Sequence, residues 1–142
     1  MPFTLRAAAA GLGDLGSAVK ALGPYQGTGA FVLRSWATGN SDVLVRYLQA
    51  YIEGLRWGID PKNRAEATKL YIDALKLNEQ MAGRTLEVAA HPTDGLTRDA
   101  RFDLEGFRNV LGLRATVMKQ STVPAPEKYL DASYYTKALA GL

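Results

Sequence analysis

The sequence contains no cysteine, and this absence excludes several kinds of chemistry. Disulfide bonds, thiolate metal sites and cysteine nucleophiles all need a thiol. Histidine is almost as scarce, since His91 is the only one in the chain. One imidazole without thiols does not make a common zinc site, and no Gly-x-Ser-x-Gly motif presents a serine nucleophile. We therefore expect no metal site, no catalytic residue and no cofactor, and we expect that the protein is not an enzyme.

Long apolar runs and clustered positive charge are also missing. No stretch has the length and apolar character that a membrane-spanning helix needs. The first residues, MPFTLRAAAAGLGDLG, lack the pattern of a secretory signal, so a role outside the cytoplasm would need a targeting signal that this chain lacks. The formal net charge is only +3, and the basic residues are scattered among acidic ones, so we expect no nucleic-acid partner.

Glycine, by contrast, is frequent, and Gly11, Gly13 and Gly16 have the G-x-G-x-x-G spacing of a dinucleotide-binding turn. Such a turn needs a strand before it, a full helix after it and an acidic residue about 20 positions later. Residues 4–10 are rich in alanine, which is a poor strand former, and the next helix could span only 17–22. The sequence therefore favours a Gly/Ala-rich arm and hinge-like linker over 1–29, and not a nucleotide site.

Residues 30–36 form an apolar, partly β-branched run between glycines, and this pattern predicts a strand. Alternation of side chains along it predicts that Arg34 faces solvent. A single strand cannot satisfy its own backbone hydrogen-bonding groups, so it must pair with residues 4–10, with a second copy or with a segment outside this chain. We expect a homodimer formed through strand 30–36.

The rest of the chain has the apolar spacing of amphipathic helices. Asn78 and Asp103 are expected N-caps, and Pro61 suits a first helical turn. The predicted helices span about 41–57, 61–77, 79–90, 104–118 and 132–140. We therefore predict one mainly helical domain over 30–142. The fold class is mainly α with a small β element, comprising about five helices plus one or two strands.

Three residues are candidates for binding a ligand. Gln26 and Thr28 lie beside glycines that would let a ligand approach the backbone closely, although a bent entry into the strand explains the same pattern. Arg114 lies on the apolar stripe of its helix, so its guanidinium needs a partner if it is buried. That partner is either a structural carboxylate such as Asp131 or a bound anion.

Two stretches, GPYQGTGAFVLRSWATGN and DVLVRYLQAYIEGLRWGIDPKNRAEATKLY, carry a resemblance to a known family. Together with RFDLEGFRNVLGLRA and YLDASYYTKAL, they resemble in order and spacing the C-terminal region of ABC-importer substrate-binding proteins of the nitrate/sulfonate/taurine type. The resemblance covers about Leu22 to Leu142. The chain lacks the N-terminal lobe of that family, which supplies most of the family's ligand contacts.

The resemblance implies part of a type II periplasmic binding protein, an α/β clamp that delivers its ligand to a membrane permease. It implies a periplasmic location, a small-molecule solute such as a small organic anion, and an ABC permease as the partner. The alternative is a non-catalytic helical remnant that self-associates and has no small-molecule ligand.

Overall fold

The structure is a computed structural model that describes residues 2–92 and 95–142. Within these residues every regular element is helical, and two single 3₁₀ turns, Pro61–Asn63 and Pro126–Lys128, join the α-helices. The described α-helices, in chain order, are α1 (Pro2–Ala9), α2 (Ala18–Leu22), α3 (Arg34–Gly39), α4 (Ser41–Ile59), α5 (Arg64–Leu75), α6 (Glu79–Ala89), α7 (Leu104–Val117) and α8 (Ser133–Ala140).

The prediction of a strand over 30–36 is wrong. The predicted fold class, which was mainly α with a small β element and part of an α/β clamp, is therefore wrong as well. The described chain contains no strand, and residues 30–33 have no regular structure. From Arg34 the chain is helical, and Ala37 N–H donates to the carbonyl of Leu33 at 3.0 Å. A strand needs a neighbouring strand for its hydrogen bonds, whereas a helix turn satisfies them locally. The basis for a homodimer through residues 30–36 is therefore lost.

Residues 4–10, the other candidate for a strand, lie mostly in α1. Alanine has the highest helix propensity, which explains why this alanine-rich segment is helical. The five helices predicted from apolar spacing correspond in position to α4, to the 3₁₀ turn with α5, and to α6, α7 and α8.

The chain divides into two compact units, each formed by separate segments. Among the described residues, the first unit comprises 2–15, 51–92 and 95–101, and the second comprises 16–50 and 102–142. The boundary expected between residues 29 and 30 lies inside the second unit. Helix α4 is continuous from Ser41 to Ile59 and contributes residues to both units.

The first unit is built on α5 and α6, which pack against each other, with α1 against α6. Its core is formed by small and aliphatic side chains, which are Ile52, Ala67, Leu77, Ala82, Leu86 and Ala89. The side chain of Asp60 accepts from Lys62 N–H at 2.9 Å, and Asn78 accepts from Met81 N–H at 2.8 Å. These two side chains satisfy amide groups that a helical turn leaves without intrahelical partners.

The second unit holds α7 against the 3₁₀ turn at Pro126–Lys128. Its buried residues are mostly small, and they are Ala37, Gly106, Leu111, Ala115, Pro126 and Ala138. Asp103 caps α7, because its Oδ1 accepts from Gly106 N–H at 3.0 Å. Small buried side chains let the packed elements approach each other closely. Because mostly small side chains are buried, many of the larger apolar side chains stay exposed to solvent.

In the described part of the chain, no helix has both the length and the apolar character needed to cross a membrane.

Candidate functional site

Gln26, a predicted ligand residue, lies half-buried on the connector between α2 and α3. Its Oε1 accepts from Asp103 N–H at 2.8 Å, while its Nε2 donates to the carbonyl of Thr28. Both ends of the amide are therefore used within the second unit. Thr28 is exposed, and its backbone carbonyl is held by Gln26.

The same connector is fastened to α7 by a second side chain. Asn109 Nδ2 donates to the carbonyls of Leu22 and Pro24, at 2.6 and 2.8 Å. Gly106 allows the close approach, because a Cβ atom there would lie 2.7 Å from the backbone nitrogen of Gln26. The arrangement fixes the path of residues 22–28 along the first turns of α7.

Arg114 lies near the other end of α7 and is exposed. It follows Asp103, the contact of Gln26, by 11 positions, which at 1.5 Å per residue places it about 16 Å further along the helix. The structure therefore brings Gln26 and Thr28 together but does not bring Arg114 to them.

The ion pair considered between Arg114 and Asp131 does not form among the described residues. Asp131 Oδ1 instead accepts from Ser133 N–H at 3.0 Å, at the start of α8. Hydrogen bonds from the side chain and backbone of Ser133, followed by the positive charges of Arg34 and Lys137, lower the pKa of the Asp131 carboxyl. Asp131 therefore does not serve as an ion-pair partner for Arg114.

Arg34 is exposed, as the sequence indicated, but its guanidinium has a structural role. Its Nη2 donates to the carbonyls of Lys128 and Glu127, at 3.0 and 3.4 Å. The first turn of α3 is thereby tied to the 3₁₀ turn that packs against α7. Arg34 therefore helps to fix the position of Lys128.

Beyond α7 the chain reverses through a left-handed residue. Lys119 has φ of 52°, and its N–H donates to the carbonyl of Thr116 at 3.2 Å. Gln120 N–H donates to the carbonyl of Ala115 at 2.8 Å. This pair of bonds is the Schellman arrangement, in which the left-handed position is usually glycine. The turn sends the following segment back alongside Arg114.

This reversal creates an open cleft of about 580 Å³ in the second unit. The cleft is lined by three cationic side chains and by hydroxyl, amide and ring groups, which are Arg114, Lys119, Lys128, Ser121, Thr122, Tyr129, Gln120 and Pro124. None of the lining residues is acidic. Cations and hydrogen-bond donors without a competing carboxylate suit an oxyanion.

An aromatic chain supports the Tyr129 side of this cleft. The ring of Tyr129 meets Phe107 edge to face at a centroid distance of 6.1 Å, and Phe107 meets Phe102 at 5.1 Å. Lys128 Nζ lies 5.6 Å from the centroid of the Tyr129 ring. Edge-to-face packing and the cation–π contact restrict Tyr129 and Lys128 together.

A second open cleft in this unit, of about 420 Å³, is lined by Ser41, Asp42, Val45, Arg46 and Lys137. Here Asp42 stands beside the two cations, so the cleft is less suited to an anion than the cleft beside Arg114.

Other candidate chemistry lacks a built site in residues 2–92 and 95–142. No group of three or more His, Asp or Glu side chains there could hold a metal. The glycine motif follows helix α1, and α2 after it has only 5 residues. A pyrophosphate site needs a strand before the motif and a longer helix after it. His91 is exposed, and its carbonyl accepts from Gly95 N–H at 3.0 Å.

Of the residues that line this cleft, only Arg114 was a candidate from the sequence, and Lys119, Ser121, Thr122 and Lys128 were not. The signal for the last three was present in the segment STVPAPEK, residues 121–128, for which no helix or strand was predicted, and Lys119 lies just before it. A polar, basic segment directly after a helix that carries an arginine is the pattern that would have indicated the cleft.

Comparison with protein-family models, with curated proteins and with solved structures found no match to this chain.

Proposed function

We propose that this chain is the C-terminal, solute-binding portion of an ABC-type import system for a small organic anion. The anion binds in the cleft beside Arg114. The observation that carries the proposal is the composition of that cleft, with Arg114, Lys119 and Lys128 on its walls and no acidic residue among them. The ordered motifs of the sequence support the importer role. A periplasmic location and a permease partner belong to the same proposal.

The cleft suits a compact anion better than an apolar ligand. Its cations stand on separate elements, with Arg114 on α7 and Lys128 in the 3₁₀ turn. An arginine guanidinium can donate two parallel hydrogen bonds to a sulfonate, carboxylate or nitrate, and lysine adds charge. The hydroxyl groups of Ser121 and Thr122 supply further donors.

The test is a thermal-denaturation screen against nitrate, an alkanesulfonate, a carboxylate and phosphate, with sodium chloride at matched ionic strength. We expect one anion to raise the melting temperature, because a ligand that binds only the folded state stabilises it. Arg114→Gln should weaken that binding by about 10- to 100-fold, since a charge-assisted hydrogen bond is lost.

Arg84→Gln is the matched control, because Arg84 is an exposed arginine on α6, outside the cleft. It should leave the affinity unchanged. The proposal is refuted if no anion shifts the melting temperature, or if both variants change the affinity equally.

A second candidate function is a helical interaction module without a small-molecule ligand. It is favoured by the large apolar side chains that remain exposed, among them Phe31 at 96% and Leu33 at 75%. Extended apolar surface of this kind commonly marks a protein-binding surface. Under this alternative, stability depends on protein concentration and no anion changes it.

A further inference from the structure

Three large apolar side chains are exposed where the chain reverses after α7. Val117 is the last residue of the helix, Met118 follows it, and Val123 lies in the returning segment. Their exposed fractions are 79%, 60% and 57%. Helix α7 instead buries Leu111 and Ala115 in the second unit. We call Val117, Met118 and Val123 the apolar tip, because packing within the second unit leaves them largely uncovered.

The apolar tip borders the cationic cleft beside Arg114 but does not line it. Val117 and Met118 follow Arg114 by three and four positions, which places all three on one side of the helix. The residues before and after Val123 line the cleft, whereas Val123 does not. All of these residues lie within 114–129, a stretch that belongs wholly to the second unit. Apolar and cationic side chains are therefore neighbours at this end of α7.

The cations of the cleft have no carboxylate partner among residues 2–92 and 95–142. Arg114, Lys119 and Lys128 are exposed, and none of them forms an ion pair there. Lys128 lies over an aromatic ring instead. Glu127 precedes Lys128 in sequence but does not line the cleft. Residues 114–128 contain three basic residues and one acidic residue, so this surface is positively charged.

Exposed apolar side chains beside cations match the chemistry of an anionic membrane surface. Apolar groups gain free energy when they enter the boundary between headgroups and acyl chains, while lysine and arginine remain at the level of the phosphates. The positive charges favour anionic over zwitterionic lipids. A protein partner would need a hollow shaped to the apolar tip, whereas a fluid bilayer accommodates an exposed apolar turn without a preformed shape.

We propose that the apolar tip and the cations beside it bind the surface of a membrane that contains anionic phospholipids. The apolar tip enters the headgroup region, and Arg114, Lys119 and Lys128 lie against lipid phosphates. The proposal does not rest on the proposed function, because a soluble anion in the cleft does not need the apolar tip.

The test is co-sedimentation of the full chain with vesicles of phosphatidylcholine and phosphatidylglycerol, compared with phosphatidylcholine alone. We expect binding to the anionic vesicles only, weakening as sodium chloride is added. The double variant Val117→Ser/Met118→Ser should bind about tenfold more weakly or worse, because apolar burial is lost. Lys119→Asn should weaken binding by about fivefold through the lost charge, and asparagine suits the left-handed turn.

Two variants outside the turn are matched controls. Val43→Ser changes an exposed valine on α4, and Arg108→Gln removes an exposed charge from α7 well before the turn. Each should keep vesicle binding within about twofold, as substitutions on an uninvolved surface do. Circular dichroism shows whether each variant keeps its helix content.

A fluorescent label adds a local readout, since the chain contains no cysteine and a single introduced one can be labelled cleanly. An environment-sensitive fluorophore on Val117→Cys should shift to the blue with anionic vesicles, because it moves into a less polar medium. The same fluorophore on Val43→Cys should not shift.

Soluble glycerol 3-phosphate separates a membrane surface from a free phosphate ester. At matched ionic strength it should leave the chain on the vesicles, whereas complete displacement would overturn the proposal. The proposal is also overturned if anionic vesicles do not bind the chain, or if the double variant binds them as well as the wild type. Arg114→Gln should weaken the binding of vesicles and of a soluble anion alike, but the double variant should affect vesicles only, so the two proposals fail separately.

Discussion

Replacing Gly106 with alanine tests how the connector over residues 22–28 is held against α7. The new Cβ atom would lie 2.7 Å from the backbone nitrogen of Gln26 and 2.9 Å from that of Tyr25. These two neighbours are backbone atoms, so relief requires the connector to move away, and the side chain of Asp103, which lies nearer still, must shift as well. Overpacking of this kind costs about 1–3 kcal/mol. Displacing the connector also breaks the Gln26–Asp103 hydrogen bond, at about 1 kcal/mol.

Gly112→Ala is the matched control, because Gly112 lies on the same helix and a Cβ atom there meets nothing within 4 Å. Alanine should stabilise that position by about 0.5–1 kcal/mol through helix propensity. Since both variants share this gain, their free energies of unfolding should differ by about 2–4 kcal/mol.

Urea denaturation followed by circular dichroism measures both variants under identical conditions. Limited proteolysis adds a local readout, because a displaced connector should be cut faster in the Gly106 variant only. If Gly106→Ala is as stable as Gly112→Ala, the close contact between α7 and the connector does not exist and the reasoning fails.

Three further changes have defined outcomes. Asp103→Ala removes the cap of α7 and should cost about 1 kcal/mol of unfolding free energy in urea, and an unchanged midpoint would exclude the capping bond. Lys119→Gly relieves a left-handed residue and should raise the stability by about 0.5–1 kcal/mol, whereas a loss would show that the turn is not left-handed. Because the pKa of Asp131 is lowered in the folded protein, this carboxyl stabilises the fold at a pH above its ordinary pKa of 3.8. The stabilisation is lost as the pH falls through the lowered pKa of the folded state. Asp131→Asn should therefore flatten the acid limb of a plot of melting temperature against pH, and an identical limb would contradict the bond from Ser133.

The sequence alone determined the features that depend on neighbours along the chain. Apolar spacing located the helices α4 to α8, and Asn78 and Asp103 were identified as N-caps because capping bonds reach only three residues. The short helix after the glycine motif was also predicted from its neighbours in sequence, over 17–22, and α2 spans Ala18–Leu22.

The tertiary structure decided what depends on distant partners. Residues 30–36 have strand propensity, but a strand needs a neighbour that the described chain does not supply, and a helix begins at Arg34 instead. The side-chain amide oxygen of Gln26 accepts from the backbone of Asp103, which is 77 positions away. Arg114 and Lys128 line the same cleft only because the chain folds back after α7. Spacing along a sequence carries no information about such contacts, because their geometry is set by the packing of elements far apart in the chain.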